Sequence, residues 1–169
     1  MINEYLKELA MENKSKNILM NNVIKTLSED EWNKEFNGFY KSIHELCSHI
    51  YIADYDWINW LKRFEPLNNF EIVNSDFFVT KYKFKENIFN NINEYLIIRT
   101  EYDDILIEFV DELKENFLNK ILKLPNSNGN LNECKIENLV KHIFHHSMHH
   151  KGMIALYLDM LGKDNDFGG

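Results

Sequence analysis

The chain has 169 residues, of which 44% are hydrophobic and 14% aromatic, so it is long enough for residues 1–169 to bury the core of a single domain. A formal net charge of −8 argues against binding to the phosphate backbone of nucleic acids, because that function needs a basic surface. No apolar run approaches the ~20 residues of a membrane span, and a polar start with only two cysteines predicts a cytoplasmic protein without membrane contact.

The first predicted helix covers residues 2–27, which contain no glycine or proline and carry apolar side chains at helical intervals. Ser28 and Glu31 have the serine-then-glutamate spacing of a capping box, which predicts a short extra helical turn. After a connection that Gly38 closes, the second predicted helix covers residues 39–64 and ends shortly before a proline.

The second predicted helix carries two histidines, His44 and His49. Their separation of five residues excludes a metalloprotease helix, which needs two histidines four apart. At about 100° per residue, His49 lies about 70° from the centre of the apolar face and His44 about 150° from it. We therefore expect His49 to border the core and His44 to face solvent. A lone histidine in the position of His49 is more typical of a hydrogen-bonded structural residue than of a ligand. The apolar face consists of Phe39, Leu46, Ala53, Trp57, Trp60 and Phe64.

The middle of the chain combines one helix with less regular segments. Residues 67–83 are aromatic and irregular, and we predict a long connection that crosses the bundle, because a structureless loop of that length would be unusual. Residues 85–113 form the third predicted helix, with the acidic residues between 94 and 112 on its wet side. The spacing of apolar residues at 117–124 does not distinguish a helix from a strand. The Pro-Asn-Ser-Asn-Gly turn that follows favours a small hairpin, with residues 131–135 as its return strand.

The last predicted helix covers residues 136–161 and is stopped by Gly162, and the polar tail at 163–169 is predicted to be frayed. Five of the seven histidines lie in this helix. Neutral imidazole is a common ligand for zinc, nickel, copper and iron, so this density points first to a metal. Two histidines four residues apart on one helix can hold one ion.

Three such pairs are present, namely His142/His146, His146/His150 and His145/His149, and helical phase separates them. His150 lies about 40° from the centre of the apolar face and His146 about 80°. His142 lies about 120° away, His149 about 140°, and His145 about opposite. Only His146 and His150 are therefore predicted to border the core, where another helix can reach them. The alternative is that the whole cluster is a solvated polar face.

Other residues near the histidines give weaker signals. Asp56 shares a side of its helix with His49 but lies roughly 10 Å away, so it is predicted to be a carboxylate behind the ligands or a solvated one. Cys47 fits a small buried hydrophobic residue. No pair of Glu-x-x-His motifs is present, which argues against a di-iron bundle.

The two histidine segments together resemble a known family. HIFHHSMHHKGM at 142–153, ending in Leu-Gly at 161–162, is similar to the last-helix signature of the DinB/YfiT-like proteins, roughly H-x-x-N-H-x-x-x-H-R-G-Q followed by L-x-x-L-G. His49, followed by Asp54 and Trp57, resembles their second-helix signature. The first helix, including Asn17, also resembles theirs. The resemblance covers most of the chain, although only the two histidine motifs are specific.

This resemblance implies an all-α fold, namely an antiparallel four-helix bundle. The small β-hairpin predicted above would precede the last helix of this bundle. It also implies that His49, His146 and His150 bind a divalent metal ion, zinc or nickel in our prediction. The second and last helices must then be adjacent, with His49 meeting both partners. Lys151 replaces the family's usual arginine and Met153 its usual glutamine; neither is a ligand, so the departures concern substrate or dimer contacts.

Members of the family include transferases that activate a low-molecular-weight thiol on the metal. The resemblance therefore implies a metal-dependent enzyme, a thiol S-transferase or hydrolase acting on a small-molecule substrate, and a homodimer. The alternative is a non-catalytic stress-response protein that binds a metal or a small ligand.

Overall fold

Four long helices form the body of the protein, and a two-stranded hairpin precedes the last of them. The structure, a computed structural model, describes residues 2–61, 82–83, 85–125 and 129–167. None of the helices in these ranges is long and apolar enough to cross a membrane. In chain order the elements are α1 Ile2–Ile24, α2 Glu29–Trp32, α3 Ile43–Leu61, α4 Ile92–Glu112, α5 Glu115–Leu118, β1 Ile121–Pro125, β2 Leu131–Lys135 and α6 Ile136–Met160.

Two antiparallel helix pairs build the bundle. α1 packs against α4, with Asn3 at the start of α1 bonded to the carbonyl of Leu113 just after α4. At the other end of this pair, the Tyr95 hydroxyl donates to Asn21 Oδ1 at 3.0 Å. α3 packs against α6 in the same manner. The predicted antiparallel four-helix bundle and its hairpin are confirmed.

The two pairs are joined through α1 and α6, which run in the same direction. Lys141 near the start of α6 lies over the ring of Tyr5, whereas Lys151 further along bonds to Asn13. Since α4 opposes α1 and α3 opposes α6, α3 and α4 also run in the same direction. The sequence predicts a long connection between them at residues 67–83. Residues 67–81 of that connection lie outside the described residues.

Side-chain caps set the helix starts, and two of them differ from the prediction. α3 begins at Ile43 rather than at 39, because Ser42 Oγ accepts a hydrogen bond from the amide of Glu45 at 3.0 Å. α4 begins at Ile92 rather than at 85, because Asn91 Oδ1 accepts from the amide of Glu94 at 2.9 Å. α3 is described to Leu61, and its predicted last turn lies outside the described residues.

The capping box before α2 and the hairpin before α6 match the prediction. The amide of Glu31 donates to Ser28 Oγ at 3.2 Å, and the amide of Ser28 donates to Glu31 Oε2 at 2.8 Å. The ambiguous segment divides into the short helix α5 and strand β1, which pairs antiparallel with β2 from Ile121 opposite Lys135 to Pro125 opposite Leu131. α6 follows β2 directly and ends before Gly162, which has a φ of +70°.

The predicted fraying of the tail is wrong for residues 163–167. Phe167 is only 1% exposed and belongs to the hydrophobic core. Lys163 Nζ lies 2.9 Å from Glu31 Oε1, and Asn165 Nδ2 donates to Asp159 Oδ1 at 2.8 Å. A polar composition alone predicted disorder, but one aromatic side chain near the end of the chain finds an apolar site and stabilises the segment before it.

Candidate metal centre

Three histidine side chains, His49, His146 and His150, converge between α3 and α6 and are called the triad. His49 Nε2 lies 3.2 Å from His146 Nε2 and 3.2 Å from His150 Nε2, and the last two atoms lie 3.1 Å apart. The structure therefore places all three predicted ligands together. They are the group of histidine, cysteine and acidic residues in the described part of the chain that could hold a metal ion.

Helix geometry explains why these three histidines meet. His146 and His150 are one turn apart on α6, so their side chains project from the same face. α3 packs antiparallel on that face and brings His49 between them. His49 and His146 are half-buried and His150 is 7% exposed, so the cluster lies at the edge of the core, as the phase of both helices predicts.

The spacing of the three nitrogens fits one metal ion. Two nitrogens bound to zinc at ~2.1 Å, with an angle between the octahedral and tetrahedral values, lie about 3.0–3.4 Å apart. The observed separations of 3.1–3.2 Å fall in that range. Hydrogen bonds cannot account for the triangle, because a ring nitrogen carries either one hydrogen or one lone pair, and three such nitrogens can form only one N–H···N bond. A cation is the partner that satisfies three lone pairs at once.

The protonation states also suit a metal. Burial lowers the pKa of His49, and burial followed by the charge of His49 lowers the pKa of His146 to about 4. Burial followed by the charge of His146 lowers the pKa of His150 to about 3. All three imidazoles are therefore neutral at pH 7, and a neutral ring is the form that donates a lone pair to a metal.

Aromatic contacts hold the His49 ring in place. Tyr40 stacks on it with the ring centroids 4.3 Å apart, and meets His150 edge-on at 5.3 Å. The Tyr157 hydroxyl donates to the Tyr40 carbonyl at 2.6 Å, which ties the segment before α3 to α6. Gly38 makes this approach possible, because a Cβ at that position would lie 2.0 Å from the Tyr157 hydroxyl oxygen.

The other histidines divide into two groups. His142, His145 and His149 are exposed, as predicted. The prediction for His44 is wrong, since its side chain is only 7% exposed. It stacks on Trp32 with centroids 5.1 Å apart, and its Nδ1 lies 2.9 Å from Asn33 Oδ1. Helical phase assigned this side of α3 to solvent, but the short helix α2 covers it.

A buried polar network lies behind the triad, and sequence reasoning found little of it. Arg99 is 1% exposed and donates from Nη1 to Asp54 Oδ2 at 2.9 Å and from Nε to Asp103 Oδ1 at 3.0 Å. Asn17 Nδ2 donates to the same Asp103 oxygen at 2.7 Å. Asp103 was predicted on the wet side of its helix, and that prediction is wrong. Its spacing from Arg99, four residues on one helix, was the available signal.

Lys151 extends the network to α6, directly after His150. Its Nζ donates to Asn13 Oδ1 at 2.6 Å and to the Asn13 carbonyl at 3.3 Å, and the side chain is 1% exposed. Burial, followed by the charge of Arg99, lowers its pKa to about 7. The sequence showed only that a lysine stands where the resembled family has an arginine. The structure shows that this side chain is buried in the bundle, where it reaches Asn13 on α1.

Asp56, Cys47 and Trp57 are the other residues of α3 that the sequence analysis singled out. Asp56 is exposed and Asp54 is buried on Arg99, so neither carboxylate belongs to the group that could hold the ion. Cys47 is 1% exposed, and burial raises its thiol pKa to about 12, which confirms a packing role. Trp57 is half-buried, with its ring 5.1 Å from that of His142.

Comparisons with known proteins agree with this architecture. The family model described as "DinB family" matches residues 1–166. Protein DinB of Bacillus subtilis (strain 168) is 22% identical over 144 residues, which span 83% of this chain and 77% of the relative. The crystal structure of a DinB-like protein (YjoA) from Bacillus subtilis matches with a TM-score of 0.63 and 18% identity, covering 95% of this chain and 97% of that chain. With a bundle of the same fold, a three-histidine cluster between α3 and α6, and a family match over nearly its whole length, the chain belongs to the DinB family.

Proposed function

We propose that the protein is a divalent-metal-dependent enzyme of the thiol S-transferase type that acts on a small molecule. The observation that carries this proposal is the triangle of neutral Nε2 atoms from His49, His146 and His150. Three neutral ligands leave the full charge of a zinc or nickel ion uncompensated and leave coordination positions free, which is typical of catalytic rather than closed structural sites. A bound ion lowers the pKa of a ligated thiol or water toward neutrality.

The residues around the triad support this role by orienting the ligands. Tyr40 stacks on the ring of His49 and meets the edge of His150, so the two rings keep their directions without the ion. A ligand set that is positioned in advance costs little conformational entropy when it binds. The half-buried His49 and His146 leave the cluster at the rim of the core, where a low-molecular-weight thiol and a second substrate can approach.

A non-catalytic role in binding a metal or small ligand, as in a stress-response protein, is the second candidate. One observation favours it. The carboxylate of Glu45, one turn before His49, accepts from the Lys41 amide and lies 3.6 Å from Lys85 Nζ, so it is engaged away from the triad. Glu45 is therefore not placed to act as a general base at the triad, and a transferase would have to move protons through the thiol and the ion alone.

Turnover measurements separate the two candidates. The protein loaded with zinc or nickel is assayed with electrophilic small molecules and a panel of low-molecular-weight thiols. We expect thiol-dependent turnover that is lost in His49→Ala. The control variant Lys7→Ala changes an exposed side chain outside the triad and should retain the turnover. Tight metal binding without turnover for any thiol would support the non-catalytic candidate instead.

A further inference from the structure

Two exposed histidines on α6 form a pair that the triad does not use. His145 and His149 lie four residues apart in the middle of the helix, so both project from the same strip of its surface. Within the described ranges, the one contact shown for either ring is that of His149 with His150, at 4.9 Å between centroids. Both imidazoles are thus available to a ligand from solvent.

We propose that His145 and His149 form a second metal site, a two-nitrogen surface chelate for a late first-row divalent ion such as Cu²⁺, Ni²⁺ or Zn²⁺. Two histidines four apart on a helix are the arrangement that places two imidazole nitrogens on one ion. Exposed side chains change rotamer within picoseconds to nanoseconds, so both rings can turn toward a common ion. Water completes the coordination.

The surroundings of the pair are favourable for a cation. Lys141, one turn before His145, pairs with Glu137 and lies over the ring of Tyr5. Lys151, two residues after His149, is buried and donates to Asn13. Neither ammonium group is directed at the pair, and the chain as a whole carries a formal charge of −8.

The pair shares no residue with the triad, although the rings of His149 and His150 touch, and the two sites should differ in strength. The triad offers three nitrogens at the edge of the core, already 3.1–3.2 Å apart. The surface pair offers two nitrogens in water and must order two exposed side chains, which costs conformational entropy. We expect the surface ion to exchange rapidly during gel filtration, whereas the triad ion remains bound.

Copper titration of the whole protein, loaded beforehand with one equivalent of Zn²⁺, tests the second site. Wild type should bind one further Cu²⁺ ion, with two nitrogen ligands in its electron paramagnetic resonance spectrum. The variants His145→Gln and His149→Gln should each weaken this binding at least about tenfold, because a single imidazole loses the chelate effect. His142→Gln is the matched control, since it removes another exposed histidine of α6, and it should leave the second site unchanged.

Further variants separate this site from the triad. In the variant His146→Ala/His150→Ala without added zinc, which keeps only one histidine of the triad, the two-nitrogen copper signal should persist, and adding His145→Gln should remove it. Retention of the second copper ion in the variant that lacks both His145 and His149 would overturn the proposal. Equal loss in His142→Gln would overturn it as well, and so would a wild type in which no copper binding depends on His145 and His149. A triad without metal affinity would leave the surface signal intact and would contradict the proposed function alone.

Discussion

At the scale of single residues, the triad and the polar network place opposite demands on their side chains. His49, His146 and His150 must stay neutral and keep a shared space between their nitrogens. Arg99 must stay charged, because it joins two buried carboxylates. The histidines lie on α3 and α6, whereas Arg99 and Asp103 lie on α4 and reach Asp54 on α3. Function and packing can therefore be tested separately by substitution.

His49→Ala should abolish tight metal binding and leave a folded protein. The variant removes one of three ligands, and a remaining histidine pair binds far more weakly than a preformed triad. Metal content after gel filtration measures the first effect, and far-ultraviolet circular dichroism with a cooperative thermal transition measures the second. The double change of His145 and His149 to glutamine is the control and should retain the tightly held ion. Loss of that ion in the control would show that the triad is not the tight site.

Arg99→Met should destabilise the protein by about 3–5 kcal/mol, because it leaves the buried carboxylates of Asp54 and Asp103 without their cation. The free energy of unfolding from urea titration measures this loss. Lys7→Ala is the matched control, since it breaks an ion pair with Asp111 in which the side chains are 45% and 50% exposed. That pair should contribute less than about 1 kcal/mol. A similar small loss in both variants would contradict a structural role for the buried network.

At the scale of secondary-structure elements, the segment between α2 and α3 links the core to the triad. Phe36 stacks on Tyr157 with centroids 4.2 Å apart, and the Tyr157 hydroxyl bonds to the Tyr40 carbonyl. Tyr40 in turn stacks on His49. A short connection between two helices thus positions an aromatic ring against a candidate ligand, and Gly38 is the point of closest approach.

Gly38→Ala should weaken metal binding without unfolding the bundle. Its Cβ would lie 2.0 Å from the Tyr157 hydroxyl oxygen and 3.0 Å from the Tyr40 carbonyl oxygen, so the hydrogen bond between them must break or shift. We expect a loss of stability of about 1–2 kcal/mol and a severalfold weaker affinity for zinc. Isothermal titration and urea unfolding measure the two effects.

Gly152→Ala is the matched control for that substitution. Gly152 lies in α6 near the triad, but beyond its chain neighbours and the adjacent backbone of α6, a Cβ there meets no described atom within 4 Å. Alanine has the higher helix propensity, so the variant should gain roughly 0.5–1 kcal/mol of stability and bind zinc like wild type. If Gly38→Ala also bound zinc like wild type, Tyr40 would have no part in positioning His49.

At the scale of the whole molecule, the hydrophobic core and the candidate metal centre occupy different parts of the bundle. The hydrophobic core runs through all four long helices and includes Trp32, Tyr55, Tyr95, Tyr102 and Phe109, each at most 1% exposed. Burial of such aromatic side chains dominates the folding of a domain of this size. The three histidines lie at the rim of that core, so we expect the fold not to depend on an ion in the way that a zinc finger does.

Removal of metal by a chelator should therefore lower the melting temperature and leave a helical, cooperatively melting protein. An ion that binds only the folded state adds stability by mass action, so the melting temperature should rise with the concentration of free zinc. Circular dichroism melting with and without chelator measures both effects. His49→Ala should show the melting temperature of the metal-free protein under both conditions. Complete unfolding on chelation would make the ion structural and would contradict the proposed catalytic site.

The metal-free protein should lose stability as the pH falls from about 6.5 toward 4. In the folded state the pKa values of His146 and His150 are lowered to about 4 and about 3, so the unfolded chain binds more protons in this range. The stability from these groups is thus complete above about 6.5 and declines below it. Asp54, whose pKa burial raises to about 6, acts in the opposite direction but is a single group. Urea unfolding at several pH values measures the slope, and a His146→Gln/His150→Gln variant should flatten it.

The sequence by itself determined the parts of this protein that depend on local periodicity and turn chemistry. Helical phase separated His49, His146 and His150 from the exposed His145 and His149, because 100° per residue decides which side chains share a face. The sequence also predicted the capping box at Ser28, the hairpin and the end of the last helix at Gly162, since each depends on a few neighbouring residues. The resemblance to a known family then supplied the pairing of the second helix with the last.

Only the tertiary structure decided what lies on the remaining faces. His44 is buried because α2 covers a side of α3 that periodicity assigned to solvent. Asp103 and Lys151 are buried because four helices bring Arg99, Asp54 and Asn13 to them, and Phe167 is buried because the tail returns to the core. Burial of a polar residue depends on partners that are distant in the chain, and their compensating charges and hydrogen bonds have no periodic signal.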